Sequence, residues 1–262
     1  MRIHAWRKDL ADIGLAGQVF APHYARPLAR SCGAQTTMLR PNPDAQGGAI
    51  SQLLPGEEFS VLEYAGGWAW GFSAHDHIVG YVEGIALADP IAATHFVCEA
   101  RAPVTPDGSL ASPVIAHLPM GTLLQGHEEG ACLDTEYGCV PLSHLRRLDD
   151  PEADPVVVAE RLLGAPWLDG GRTADGIDAA GLVQLALSLC GVEAPRLLDQ
   201  LPALGTPVPE QEPARRGDLV LFEDGAGLMV DDLLMIHAGC AAGKVTVEPA
   251  APFAAERRRI PL

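Results

Sequence analysis

The chain has 262 residues, 48% of them apolar and 20% charged, a composition that can bury a core and lies far from that of disordered chains. Eighteen basic residues against thirty-four acidic ones leave a formal net charge of −16, a field that repels phosphate backbones and anionic lipid, so neither nucleic acid nor membrane is an expected partner. No stretch approaches the roughly 20 uninterrupted apolar residues of a membrane helix, and residues 1–8 lack the apolar block of a secretion signal, so the expected location is the cytoplasm.

Residues 1–27 read as an arm, in which Lys8 to Gly14, with Leu10, Ala11 and Ile13, carries a short helical pattern. Frequent prolines and glycines then break the chain as far as about residue 150 into short apolar runs, the signature of small β modules. Within 28–90, residues 49–54, 59–64, 68–72 and 78–82 alternate as half-buried strands do, separated by Pro55-Gly56, Gly66-Gly67 and the polar tip Ser73-Ala74-His75-Asp76-His77. A five-stranded SH3-like barrel fits that length. Residues 91–149 repeat the rhythm through Phe96-Val97-Cys98, residues 114–118, residues 121–124 and residues 138–142, which predicts a second barrel of the same type.

An acidic, proline-punctuated linker, Asp149-Asp150-Pro151-Glu152-Ala153-Asp154-Pro155, opens the last region, 150–262. Asp154 and Pro155 supply a helix cap and a first helical residue, predicting a helix over 156–163. After a glycine-rich loop, residues 180–190 are apolar nearly all round, as suits a helix inside a domain. Strands follow at 218–222, 227–230, 234–238 and 244–248. Helices followed by an antiparallel sheet make an α+β domain. The six cysteines, at 32, 98, 132, 139, 190 and 240, are too sparse for a disulfide framework and contain no Cys-x-x-Cys zinc pair. Cys132 and Cys139 could face each other across a hairpin or simply be small core residues.

The order of these pieces, and their local sequences, resemble the NlpC/p60 cell-wall cysteine peptidases, specifically the cytoplasmic muropeptide-processing type with two bacterial SH3-like domains before a papain-like domain. The resemblance rests on Trp68-Ala69-Trp70 with Val79-Gly80-Tyr81-Val82, on residues 164–173, on Gly176-Ile177-Asp178-Ala179-Ala180-Gly181-Leu182, on Arg216-Gly217-Asp218-Leu219-Val220 and on Ile236-His237-Ala238. It implies a cysteine nucleophile at the start of a buried helix, where unpaired amides favour thiolate, a histidine base on a facing strand, and a third polar residue to orient it. Where the family reads Asp-Cys-Ser-Gly-Leu, this chain has Ala179 for the cysteine and Ala180 for the serine. Where the family reads Gly-His-Val-Gly-Ile, the histidine position is Gly225. Only the third position is retained, as His237.

The cleft departs from the family too. Its Pro-Tyr-x-Trp-Gly-Gly approach has become Pro166-Trp167-Leu168-Asp169-Gly170-Gly171, and the tyrosine that helps hold the substrate's amino end is Ile78. Trp167, Asp169, Asp178, Ala180, Ile78 and Asp76 are therefore the candidate lining of a degenerate cleft. Asp169, Asp175, Asp178, Glu223 and Asp224 would crowd near it as acid–base groups, as a cation site or as exposed loop charge, with Asp178 also serving as helix cap. His237 could be a hydrogen-bonded core histidine, an orphaned catalytic residue or a ligand. Cys240 lies past the strand end with no base beside it, His75 and His77 lack a third metal ligand, and residues 257–259 form a basic patch suited to the chain's own carboxylates. No cofactor or metal is expected. The expected function is a catalytically inactive homologue that binds a muropeptide, another small peptide or a protein partner. The alternatives are an active γ-D-glutamyl-diamino acid peptidase with relocated catalytic residues, and a purely structural subunit.

Overall fold

The computed structural model describes residues 4–109, 112–253 and 256–261. The chain divides into two compact units, Met1–Thr94 with Thr122–Gln125, and His95–Gly121 with Gly126–Leu262. The first unit is built on five strands, β1 (Leu28–Cys32), β2 (Glu58–Ala65), β3 (Trp68–Ser73), β4 (Val79–Glu83) and β5 (Leu87–Ala88), in the order β4-β3-β2-β1-β5. Every neighbouring pair is antiparallel. Phe59 and Val61 of β2 and Val82 of β4 are buried on one face, and Ser60 and Leu62 on the other face of β2 are buried as well, so the middle of this strand is covered on both sides. Trp70 pairs with Tyr81 across β3 and β4, and the Arg7 guanidinium lies 4.5 Å from the centre of the Trp70 ring, a cation–π contact that ties the arm to the sheet.

The arm itself differs from its predicted helix. Leu10–Asp12 is a short strand paired in parallel with His23–Ala25, and only Ile13–Leu15 coils, as one 3-10 turn. A helix this short needs tertiary packing to offset its nucleation cost, and here the packing comes with the strand, which buries Ala11 completely while the Asp12 carboxylate accepts from the Gly14 amide at 2.9 Å.

In the second unit, residues 95–147 form short antiparallel pairs: His95–Val97 with Leu145–Arg147, Arg101–Val104 with Ala116–Pro119, and a meander of Gly126–Glu129, Cys132–Thr135 and Gly138–Pro141. Helix α1 (Pro155–Glu160) follows, capped by Asp154, whose carboxylate accepts from the Val156 amide. It is shorter than its apolar pattern predicts, because residues 161–164 close as turns onto Gly164, at φ +83°. Helix α2 (Ala179–Leu189) is buried at every position but Ser188 and packs on α1.

The sheet beneath α2 comprises β6 (Thr206–Val208), β7 (Leu219–Phe222), β8 (Gly225–Met229), β9 (Leu234–Gly239), β10 (Lys244–Pro249) and β11 (Glu256–Arg259). Their order is β6-β11-β7-β8-β9-β10, antiparallel throughout. Helix α2 contacts β8 and β9. On the sheet face that carries Val220, Met229 and Met235, those three form a buried cluster with Phe222 and Phe253 against it. The basic run at 257–259 belongs to β11, and Arg259 bonds Asp218 and Glu212, as its acidic surroundings suggested.

Candidate functional site

Ala179 is the first residue of α2, directly after its cap, Asp178. A helix start presents unpaired amides and a partial positive charge, the setting that turns a thiol into a nucleophile. Here that position carries a methyl group, 5% exposed, and the neighbouring Ala180 is 3% exposed. The Asp178 carboxylate takes up the local donors instead. It accepts from the Gly181 amide at 2.7 Å, from the Gly170 amide at 2.9 Å, and from Arg196 Nη1 at 3.0 Å and Nη2 at 2.7 Å. Arg196 is 2% exposed, so the pair is a buried bidentate salt bridge that joins the segment after α2 to its start. Nothing in the periodicity around residue 196 signals this; an arginine beside Pro195 reads as loop charge until the fold supplies its carboxylate.

At the position of the expected base, Gly225 pairs with Phe222 across the β7–β8 turn. A β-carbon built on Gly225 would fall 2.4 Å from Phe222 Cε2 and 2.6 Å from Cζ. The phenyl ring thus fills the space that a side chain at 225 would enter. It stands edge-on to His237, with ring centres 5.7 Å apart, and lies 4.9 Å from the Phe253 ring. His237 is itself 5.3 Å from Phe253.

His237 is 2% exposed. Its Nε2 bonds the Glu248 carboxylate on β10, and its Nδ1 has no partner among the described residues. The ring is thus a buried histidine held by a neighbouring strand. Glu248 was not singled out in the sequence, although Thr246 and Glu248 are the polar alternates of β10, and Thr246 is registered opposite His237. Gly227, also opposite His237, admits no side chain, since its β-carbon would lie 2.9 Å from His237 Cβ and 2.7 Å from the Ile236 carbonyl oxygen.

The remaining candidates separate. Trp167 is half-buried, with its amide donating to the Gly243 carbonyl at 2.9 Å, while Asp169 is exposed. Asp175 forms an ion pair with Arg101, and Glu223 and Asp224 are exposed at the β7–β8 turn. Among the described residues no three His, Cys, Asp or Glu side chains converge as metal ligands. In the first unit, Ile78 is wholly buried and its amide donates to Ser73 Oγ and Asp76 Oδ1. Asp76, with a 2% exposed side chain, also accepts from Ser73 Oγ. That is the hydrogen bonding of a hairpin tip, so Ile78, Asp76 and Ala180 offer little or no surface to a ligand.

Two sequence families match parts of the chain. Residues 39–87 match the bacterial dipeptidyl-peptidase Sh3 domain, and residues 164–257 match the NlpC/P60 family. Among solved structures, an NlpC/P60 family protein from Bacillus cereus ATCC 10987 is 16% identical, with 88% of this chain and 99% of that one aligned at a TM-score of 0.76. An NlpC/P60 endopeptidase from Photobacterium damselae subsp. piscicida is 14% identical over 84% of this chain and 65% of that one, at a TM-score of 0.59. The peptidoglycan hydrolase RipB from Mycobacterium tuberculosis is 30% identical over 40% of this chain and 62% of that one, at a TM-score of 0.37. No curated protein sequence matches the chain. The first two likenesses establish a shared fold.

Proposed function

Since the chain is an NlpC/P60 family protein with an N-terminal SH3-like domain, we propose that it is a catalytically inactive homologue of the family's cell-wall cysteine endopeptidases, which binds a peptide, cell-wall fragment or protein partner without cleaving it. The observation that carries this reading is the start of α2, where Ala179 stands on the helix N-terminus and Asp178 is committed to two amides and Arg196. A methyl group forms no acyl-enzyme. The aromatic filling at Gly225 supports the same reading, because a base restored there would have to displace Phe222 from His237 and Phe253. The half-buried indole of Trp167 and the exposed carboxylate of Asp169 remain as the reachable groups of the former cleft.

We place the protein in the cytoplasm on its thiols: six unpaired cysteines, four of them buried, suit a reducing compartment. No helix among the described residues is long and apolar enough to cross a membrane.

The test is a calorimetric titration with L-Ala-γ-D-Glu-meso-diaminopimelate, the ligand then recovered for mass spectrometry. Saturable heat with intact ligand is the expected result and makes the protein a muropeptide carrier or sensor. Absence of heat with intact ligand directs the proposal to its protein-partner arm, and a shortened product that copurifies with the protein overturns it.

A further inference from the structure

A cleft of about 400 Å³ lies wholly within the second unit, far in sequence from Ala179. Its volume falls in the lower part of the range of small-molecule sites. One side is formed by Glu152, which is 7% exposed and is flanked by two guanidiniums, Arg161 Nη1 at 2.6 Å and Arg146 Nε at 3.1 Å. Two cations thus meet one buried carboxylate. The other acids on these arginines stand nearer solvent. Asp150, 71% exposed, takes Arg146 Nη1 at 2.8 Å, and Glu99, 41% exposed, is 3.5 Å from Arg161 Nε. Arg161 Nη1 also donates to the Cys98 carbonyl. Among the described residues, Nη2 of neither arginine has a partner.

The cleft also carries the opposite polarity. Glu128 accepts through one oxygen only, Oε1, from Arg147 at 2.9 Å, with His95 Nε2 at 3.3 Å from the same atom. Its second oxygen has no partner among the described residues, and its side chain is 46% exposed. A simple anion entering this cleft meets Glu128, and a simple cation meets three arginines. A ligand bearing both charges, separated by a short chain, satisfies both sets at once, since guanidinium–carboxylate and carboxylate–ammonium hydrogen bonds are the strong charge-assisted kind.

We propose that this cleft binds a small zwitterion of the amino-acid or short-peptide type, its carboxylate on Arg146 and Arg161 and its ammonium on Glu128. Asp150 and Glu99 act as rim acids that the ligand carboxylate displaces. Leu142 and Leu145 supply the apolar part of the lining, which suits short aliphatic side chains. L-Ala-γ-D-Glu-meso-diaminopimelate is itself a short zwitterionic peptide, so Glu128→Gln protein is titrated with it as well, which separates heat arising in this cleft from heat at the start of α2.

The experiment is calorimetry or ligand-observed NMR on the full chain with L-alanyl-L-alanine, its N-acetyl form and its C-terminal amide. The free dipeptide should bind saturably, and blocking either end should weaken binding about tenfold or more, the worth of a charge-assisted contact. Arg146→Met should mimic the loss at the carboxylate end and Glu128→Gln the loss at the amino end. Thermal melts of both variants establish that they are folded, and Glu128→Gln, which keeps the shape of a half-exposed side chain, covers the case in which Arg146→Met is not. No saturable binding up to about 10 mM, a decade above millimolar affinity, overturns the proposal. So does equal binding of the blocked peptides, or binding unchanged in folded Glu128→Gln protein.

Discussion

Asp178 shows how much one carboxylate at a helix start can hold in place. Its carboxylate caps α2, receives the Gly170 amide and neutralises Arg196, which is 2% exposed. Breaking a buried pair from one side leaves the other charge stranded, at a cost of about 3–5 kcal/mol. Asp178→Asn should therefore lower unfolding free energy in urea by about that much. Arg196→Met should cost less, by about 1–2 kcal/mol, because the remaining carboxylate keeps two amide donors and the positive end of the helix. Equal losses would mean that the pair, and not the cap, supplies all of Asp178's contribution. His237 makes a parallel case, with its Nε2 given to Glu248 and its ring enclosed by Phe222 and Phe253.

Helix α2 and the β8–β9 pair are packed together, with Ala179 and Gly225 at the positions that the family resemblance assigns to nucleophile and base. Ala179→Cys with Gly225→His rebuilds both residue types. The imidazole at 225 would still meet the Phe222 ring. The double variant should stay within about tenfold of background cleavage of a muropeptide substrate, against the 10²–10⁴-fold that a positioned base supplies. Turnover at the level of active family members would show that only the catalytic pair had been lost.

Much of this framework is legible in the chain. Alternating strands at 59–64, 68–72 and 78–82, the all-apolar helix at 180–190 and the caps at Asp154 and Asp178 are local patterns, and local patterns survive in sequence. The arm at Lys8–Gly14 misled because its apolar spacing is too short to separate a helix from a strand, and pairing with His23–Ala25 decided the matter. Arg196, Glu248 and Phe222 were invisible as site residues for one reason. Each acts on a partner brought to it by the fold, Asp178 from 18 positions away and His237 from 11, and no periodicity records such a meeting.

At the scale of the whole molecule, six thiols and a charge of −16 describe a protein without a disulfide framework. Burial pushes the Cys32 thiol up to about 12 and Cys190 up to about 11, and a hydrogen bond with Cys132, then burial, holds Cys139 at about 11. All three stay protonated at neutral pH, and only Cys240 is exposed. Reaction of the native protein with a disulfide reagent at neutral pH should show one fast thiol, abolished in Cys240→Ser, and all six after denaturation. A second fast thiol among the buried set would mean that its β module opens readily. Whether an NlpC/P60 fold is kept here without its chemistry is tested by prolonged incubation of the purified full chain with L-Ala-γ-D-Glu-meso-diaminopimelate, followed by mass spectrometry. The tripeptide should remain unchanged at every time point. Release of diaminopimelate at a rate proportional to protein, and unaffected by further purification, would contradict it.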